Sequence, residues 1–117
     1  MKKRILIVED DITMRRAIGL VLYEAGIEIS EAKNGEEAVN LIEDKNYDLV
    51  ITDLFLDTLS GFDLYSKYKN EVSFIIITGR PESELGQRSK KVLGNNFLEK
   101  PFTSEQLIEK TNLILHK

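Results

Sequence analysis

Ile5-Leu6-Ile7-Val8, followed without a break by Glu9-Asp10-Asp11, is the stretch that decides the fold. Its four apolar residues are continuous rather than alternating. A strand with one wet face alternates apolar and polar residues, so this one must be covered on both faces, as in a parallel sheet. Phe74-Ile75-Ile76-Ile77-Thr78 repeats the pattern, and shorter apolar or β-branched stretches lie at 27–32, 49–52 and 96–98. The spacing therefore predicts strands at 4–8, 27–32, 49–52, 72–78 and 96–98.

The segments between them have helical spacing. Met14, Ala17, Ile18, Val21, Leu22 and Ala25 mark one face of a helix, and Gly26 supplies its stop. Asn34 with Glu37 three residues on is a capping-box pattern opening a second helix, with Ala38, Leu41 and Ile42 as its apolar stripe. Leu64 and Tyr68 anchor a third helix from near Gly61, and Thr103 with Gln106 caps the last. The segment 82–93 is the weakest, with few large apolar residues and an internal Gly86 that costs about 1 kcal/mol relative to Ala. The order βαβαβαβαβα predicts one α/β domain over residues 1–117, a doubly wound (βα)5 parallel sheet with right-handed crossovers. A closed eight-fold barrel would need about twice this length. In such folds ligands bind at the carboxyl ends of the strands.

Composition narrows the function classes. The net charge is −4, so the basic face of a nucleic-acid binder is not expected, nor is attachment to anionic membrane. Cysteine is absent, which excludes disulfides and thiolate metal sites. The basic start Met1-Lys2-Lys3-Arg4 is followed by too short an apolar run for a signal core, and no stretch reaches the roughly 20 apolar residues of a membrane span. The expected location is the cytoplasm, without membrane insertion.

The strand ends carry Glu9-Asp10-Asp11, Asp53, Thr78 and Lys100. An acid after a strand is in itself commonly a turn or helix-cap residue. On one rim, however, these carboxylates repel; two charges about 4 Å apart cost on the order of 4 kcal/mol at an effective dielectric of 20. Such a cluster calls for a cation or a proton. Oxygen donors without His or Cys suit a hard divalent ion such as Mg²⁺, while a hydroxyl and an ammonium suit phosphoryl oxygens. The rim reads as a phosphate-plus-magnesium site with one carboxylate available as nucleophile.

Four motifs, ILIVEDD (5–11), ITDLFL (51–56) with Gly61 eight residues after Asp53, IIITG (75–79) and FLEKPF (97–102), make the chain resemble a receiver domain of two-component response regulators, across residues 4–116. The resemblance implies the flavodoxin-like receiver fold with strand order 2-1-3-4-5. It implies that Asp53 is the phosphoacceptor. Asp10 and Asp11 match the acidic pair that holds Mg²⁺ (or Mn²⁺), with Glu9 an indirect contributor, and the Phe55 carbonyl matches a further ligand. Thr78 matches the switch hydroxyl, Lys100 the phosphoryl-binding lysine, and Phe97 the aromatic switch residue. A cis bond before Pro101 is also implied. The implied partners are a sensor histidine kinase or histidine phosphotransfer protein, and a downstream protein that reads helix 82–93, strand 96–99 and helix 103–116. The protein would be a signalling switch rather than an enzyme, catalysing only its own phosphorylation and dephosphorylation.

The sequence departs from the family at Asp57, where proline is common; its carboxylate either reaches the metal through water or faces solvent, the second being favoured. Phe55 and Arg80 occupy positions that influence dephosphorylation in the family, and their bulk and charge suggest a long-lived phosphorylated state. A haloacid-dehalogenase-type phosphatase would need a second Asp where Phe55 stands, and an FMN carrier would need a Ser/Thr/Gly-rich loop where Glu9-Asp10-Asp11 stands. The output is left open between a stand-alone switch, a phosphorelay intermediate and the receiver of a larger regulator.

Overall fold

The computed structural model describes residues 2–116. Ten principal elements alternate: β1 (Arg4–Val8), α1 (Ile12–Glu24), β2 (Glu28–Ala32), α2 (Gly35–Asp44), β3 (Leu49–Asp53), α3 (Gly61–Tyr68), β4 (Ser73–Thr78), α4 (Glu84–Leu93), β5 (Phe97–Glu99) and α5 (Ser104–Leu115), with a short 3-10 turn at Gly94–Asn96 before β5. The strands form one sheet in the order β2-β1-β3-β4-β5, every pairing parallel. The predicted fold and strand order are those observed.

Alternation within the buried strands divides the core between two faces. Ile5 and Ile7 of β1, Ile51 of β3 and Ile75 and Ile77 of β4 pack with Ile18 and Leu22 of α1 and Leu107 and Leu115 of α5. Leu6, Val8, Val50 and Phe74 point the other way, against Ala38 of α2 and Leu64 and Tyr68 of α3. Leu54, Ile76 and Phe97 form a smaller cluster that α4 covers with Leu85 and Leu93.

Caps fix where each helix starts. Thr103 and Gln106 complete the capping box of α5. Asn34 caps α2 through the Glu37 amide, but the Glu37 carboxylate accepts from Lys33 N–H at 2.9 Å rather than from Asn34, so only half of that box forms. Ser60 and Asp63 close a further capping box, on α3. Ser83 caps α4, which therefore starts at Glu84 and not at 82. Gly26 follows α1 at φ 85°, the left-handed conformation that ends a helix most cheaply with glycine.

Gly86 has a different meaning from the one its helix propensity suggests. A Cβ there would lie 2.5 Å from the Arg80 carbonyl oxygen and 2.8 Å from that of Pro81. The glycine lets α4 seat against the β4–α4 loop. The only residues α4 buries are Gly86 and Ser89, and Val92 is half exposed, so its attachment is thin, as expected.

Candidate functional site

The parallel register lifts the chemically active residues to one rim. Asp53 ends β3 opposite Ile77, and Thr78 ends β4 opposite Glu99. Leu54 N–H continues the ladder to Ile77 O at 2.8 Å, and Lys100 N–H donates to Thr78 O at 2.8 Å. Glu9 stands one residue past β1, its N–H donating to Ala32 O at 3.1 Å. The Lys100–Pro101 peptide is cis.

Carboxylate oxygens of Glu9, Asp10 and Asp53 all lie within 4.8 Å of one another. Glu9 is buried, Asp53 half-buried and Asp10 exposed. Lys100 Nζ reaches Glu9 Oε1 at 3.1 Å and Asp53 Oδ1 at 3.7 Å. Two of the three carboxylates thus share one ammonium. Burial, then the Asp53 charge, raises the Glu9 pKa from 4.5 to about 7. Burial also raises that of Asp53, against the pull of Lys100. Burial works against the Lys100 ammonium, but Asp53 and Glu9 outweigh it and its pKa lies above the usual lysine value. A crowded, electron-rich, all-oxygen donor set with one face exposed fits a hard divalent cation such as Mg²⁺.

Asp11 is not in this cluster. Its Oδ1 accepts from Thr13 N–H at 2.9 Å and Met14 N–H at 3.4 Å, capping α1. The acidic pair facing Asp53 is Glu9–Asp10, one residue earlier than the sequence suggested. The physical reason is the helix start: the chain turns into α1 immediately after Asp11, whose carboxylate meets the free amides of the first turn. The preference of Asp for the residue before a helix was the available signal. Glu9 in turn becomes a direct member of the cluster rather than an indirect one.

The remaining predicted residues lie around the cluster. Thr78 is fully buried, and its Oγ1 accepts from Arg80 N–H at 3.0 Å. Phe97 is buried with Leu54 and Ile76 beneath α4. The Arg80 guanidinium carbon lies 3.9 Å from the Phe55 ring centroid, a close cation–π stack that the sequence did not reveal. Asp57 is exposed and outside the carboxylate cluster. Gly61 packs so tightly that a Cβ would collide with the Asp53 carbonyl and press on Thr52 Cγ2 at 3.0 Å, which explains a glycine at this distance from Asp53. Arg15 of α1 reaches the rim unannounced by any motif, donating to the Glu9 carbonyl at 2.7 Å.

A doubly wound sheet with an acidic pair, a strand-end Asp, a buried Thr and a Lys on one rim defines a class of phosphoryl-handling signalling proteins. The chain belongs to the response regulator receiver domain family, whose model matches residues 5–112. It is 29% identical to the phosphate regulon transcriptional regulatory protein PhoB of Pseudomonas aeruginosa over 98% of this chain and 52% of that protein. It is 27% identical to the transcriptional regulatory protein SrrA of Staphylococcus aureus over 100% of this chain and 49% of that one. The chain therefore spans about half the length of these curated relatives. A CheY-like receiver domain protein from Methanospirillum hungatei superimposes with a TM-score of 0.89 at 28% identity, over 99% of this chain and 95% of that one. A response regulator described as putative, from Chloroflexus aurantiacus, gives 0.87 at 27% identity over the full length of both. Receiver domains are signalling modules that bind Mg²⁺ at an acidic site and work with histidine kinases and downstream effectors. Among the described residues, no helix is long and apolar enough to cross a membrane.

Proposed function

We propose that the 117 residues act as one phosphorylation-activated switch in which Asp53 accepts a phosphoryl group from a histidine kinase or histidine phosphotransfer protein. The observation that carries this reading is the Asp53 carboxylate, 3.7 Å from Lys100 Nζ and within 4.8 Å of the Glu9 and Asp10 oxygens. Asp10, Asp53 and the Phe55 carbonyl would hold Mg²⁺ or Mn²⁺, with Glu9 beside them. When bound, the ion supplies positive charge for the phosphoryl oxygens.

The chemistry of the chain's own groups is positioning and electrostatics. An Asp53 oxygen attacks phosphorus in line with the donor imidazole. The new O–P bond forms as the N–P bond breaks, and its electron pair leaves with the imidazole. Lys100 faces the incoming phosphoryl oxygens, so its ammonium neutralises charge there. Thr78 Oγ1 already accepts from Arg80 N–H, which leaves its own proton to donate to a phosphoryl oxygen.

The response follows from where Thr78 and Phe97 sit. Thr78 closes β4, and Phe97 lies under the thinly attached α4. A Thr78 drawn toward phosphate changes the space around Phe97 and biases the α4–β5–α5 face between two arrangements. That face is the proposed contact for a downstream protein, with the switch acting in the cytoplasm. The same acyl phosphate would serve a relay if a second histidine protein took the phosphoryl group onward. Its curated relatives are transcriptional regulators, which favours a switch over a relay.

The test is transfer of labelled phosphate from a panel of autophosphorylated histidine kinases. Labelling of the wild type that disappears in Asp53→Asn is the expected result. Labelling that persists in Asp53→Asn overturns the assignment.

A further inference from the structure

Arg15 is largely enclosed, its side chain 11% exposed, although nothing in the proposed chemistry uses it. Its Nη1 donates to the Glu9 carbonyl at 2.7 Å and its Nε donates to Glu31 Oε1 at 2.8 Å. The topology makes this bridge possible. Glu31 pairs in register with Ile7, so both side chains project to the α1 side of the sheet, while Ala32 pairs with Val8 and projects to the other. Glu31 thus stands at the sheet edge beside α1. Arg15, one turn into α1, spans from it to the peptide that follows β1.

That peptide carries the acidic pair. Glu9 N–H is held by Ala32 O at 3.1 Å, the Glu9 carbonyl by Arg15, and the Glu9 carboxylate by Asp11 N–H at 3.3 Å. With Lys100 on its other carboxylate oxygen, every hydrogen-bonding group of Glu9 has a partner, and in the Glu9–Asp10 peptide Arg15 holds the carbonyl and so constrains the peptide plane. The orientation of that plane sets the direction in which the Asp10 side chain leaves the backbone. The guanidinium suits the task because its donors lie in a rigid fork, one arm to Glu31 and one to the carbonyl; a lysine ammonium presents a single point. Arg16 also approaches Glu31, at 4.0 Å, but it is 70% exposed and such a contact contributes little.

We infer that the Arg15–Glu31 pair is a positioning device for the cation site, locking the Glu9–Asp10 peptide so that the Asp10 carboxylate is aimed at Asp53. The inference rests on the metal-site reading proposed above. It extends the site to the edge strand, which carries none of the residues assigned from sequence. Partners that orient metal ligands typically change affinity 10–100-fold when removed.

The experiment is Mn²⁺ affinity of the full chain by electron paramagnetic resonance, with the melting temperature in chelator recorded for each variant. Asp10→Asn should abolish or sharply weaken binding. Arg15→Ala should weaken it by roughly tenfold, and Arg15→Lys should fail to restore it. Glu31→Ala, on the exposed edge where folding tolerates change, should shift affinity in the same direction. A wild type that binds no Mn²⁺, or an Asp10→Asn variant that binds as well as wild type, overturns the metal site and this inference together. Wild-type affinity in folded Arg15→Ala or Arg15→Lys, with only the melting temperature lowered, reduces Arg15 to a fold tether and overturns this inference alone.

Discussion

Glu9 shows how one side chain can couple stability to the site. Its pKa in the folded chain is about 7, against an ordinary 4.5, because burial and Asp53 disfavour its anion. Below 4.5 it is protonated in the folded and unfolded chain alike, and its contribution to stability is fully present. As pH rises through about 7 the folded state must hold a buried anion, and the contribution is lost. Asp53, raised by burial as well, acts in the same direction. Melting temperatures in chelator should therefore fall between the two ends of that window. Glu9→Gln should flatten the fall, and Mg²⁺ should raise the high-pH end most; a stability that climbs with pH would contradict the electrostatic picture. Phe55 belongs to the same scale. The Arg80 guanidinium stacks on its ring, two residues along the chain from Asp53. Phe55→Asn should shorten the lifetime of the acyl phosphate several-fold, read as loss of label after the donor is removed, and an unchanged lifetime would remove Phe55 from that role. The residue types of the rim were legible in the sequence. Which two of three consecutive acids face Asp53 was not, because the register depends on where α1 begins, a choice that the cap at Asp11 makes.

Among the elements, α4 is the proposed responder because it buries no large side chain of its own. It buries Gly86 and Ser89 and leans on Leu85 and Leu93, while α1 and α5 seat several large side chains in the core. The sequence disclosed this thinness through the scarcity of apolar residues. It did not disclose why Gly86 is there, since close approach to the Arg80 and Pro81 carbonyls is a tertiary fact. Gly86→Ala separates the two meanings. Helix propensity alone would stabilise the variant by about 1 kcal/mol. The clash should win, destabilising the protein by roughly 1–3 kcal/mol in denaturant titration. A more stable Gly86→Ala would mean that α4 shifts freely on its loop. The strands were the most legible elements, because a run such as Ile5–Val8 tolerates no exposed face. Boundaries moved by a residue or two where a cap or a bridging hydrogen bond decided them, as at Ser83.

At the scale of the whole molecule, the net charge of −4 has a local explanation in part. Glu9, Asp10 and Asp53 cluster there, and Lys100 pairs with Glu9 and Asp53. Asp11 and Asp57 lie outside that group, so the remaining excess is spread over the surface. The sheet converts scattered sequence positions into one rim because parallel strands end on the same side. On that rim Asp53 is the proposed phosphoacceptor, working with a divalent cation. Intact-protein mass spectrometry after incubation with a small acyl phosphate and Mg²⁺ tests it most directly. The expected result is the mass of one phosphoryl group added to the wild type and none added in Asp53→Asn or with Mg²⁺ chelated. A wild type that stays unmodified, or an Asp53→Asn variant modified to the same extent, would contradict it.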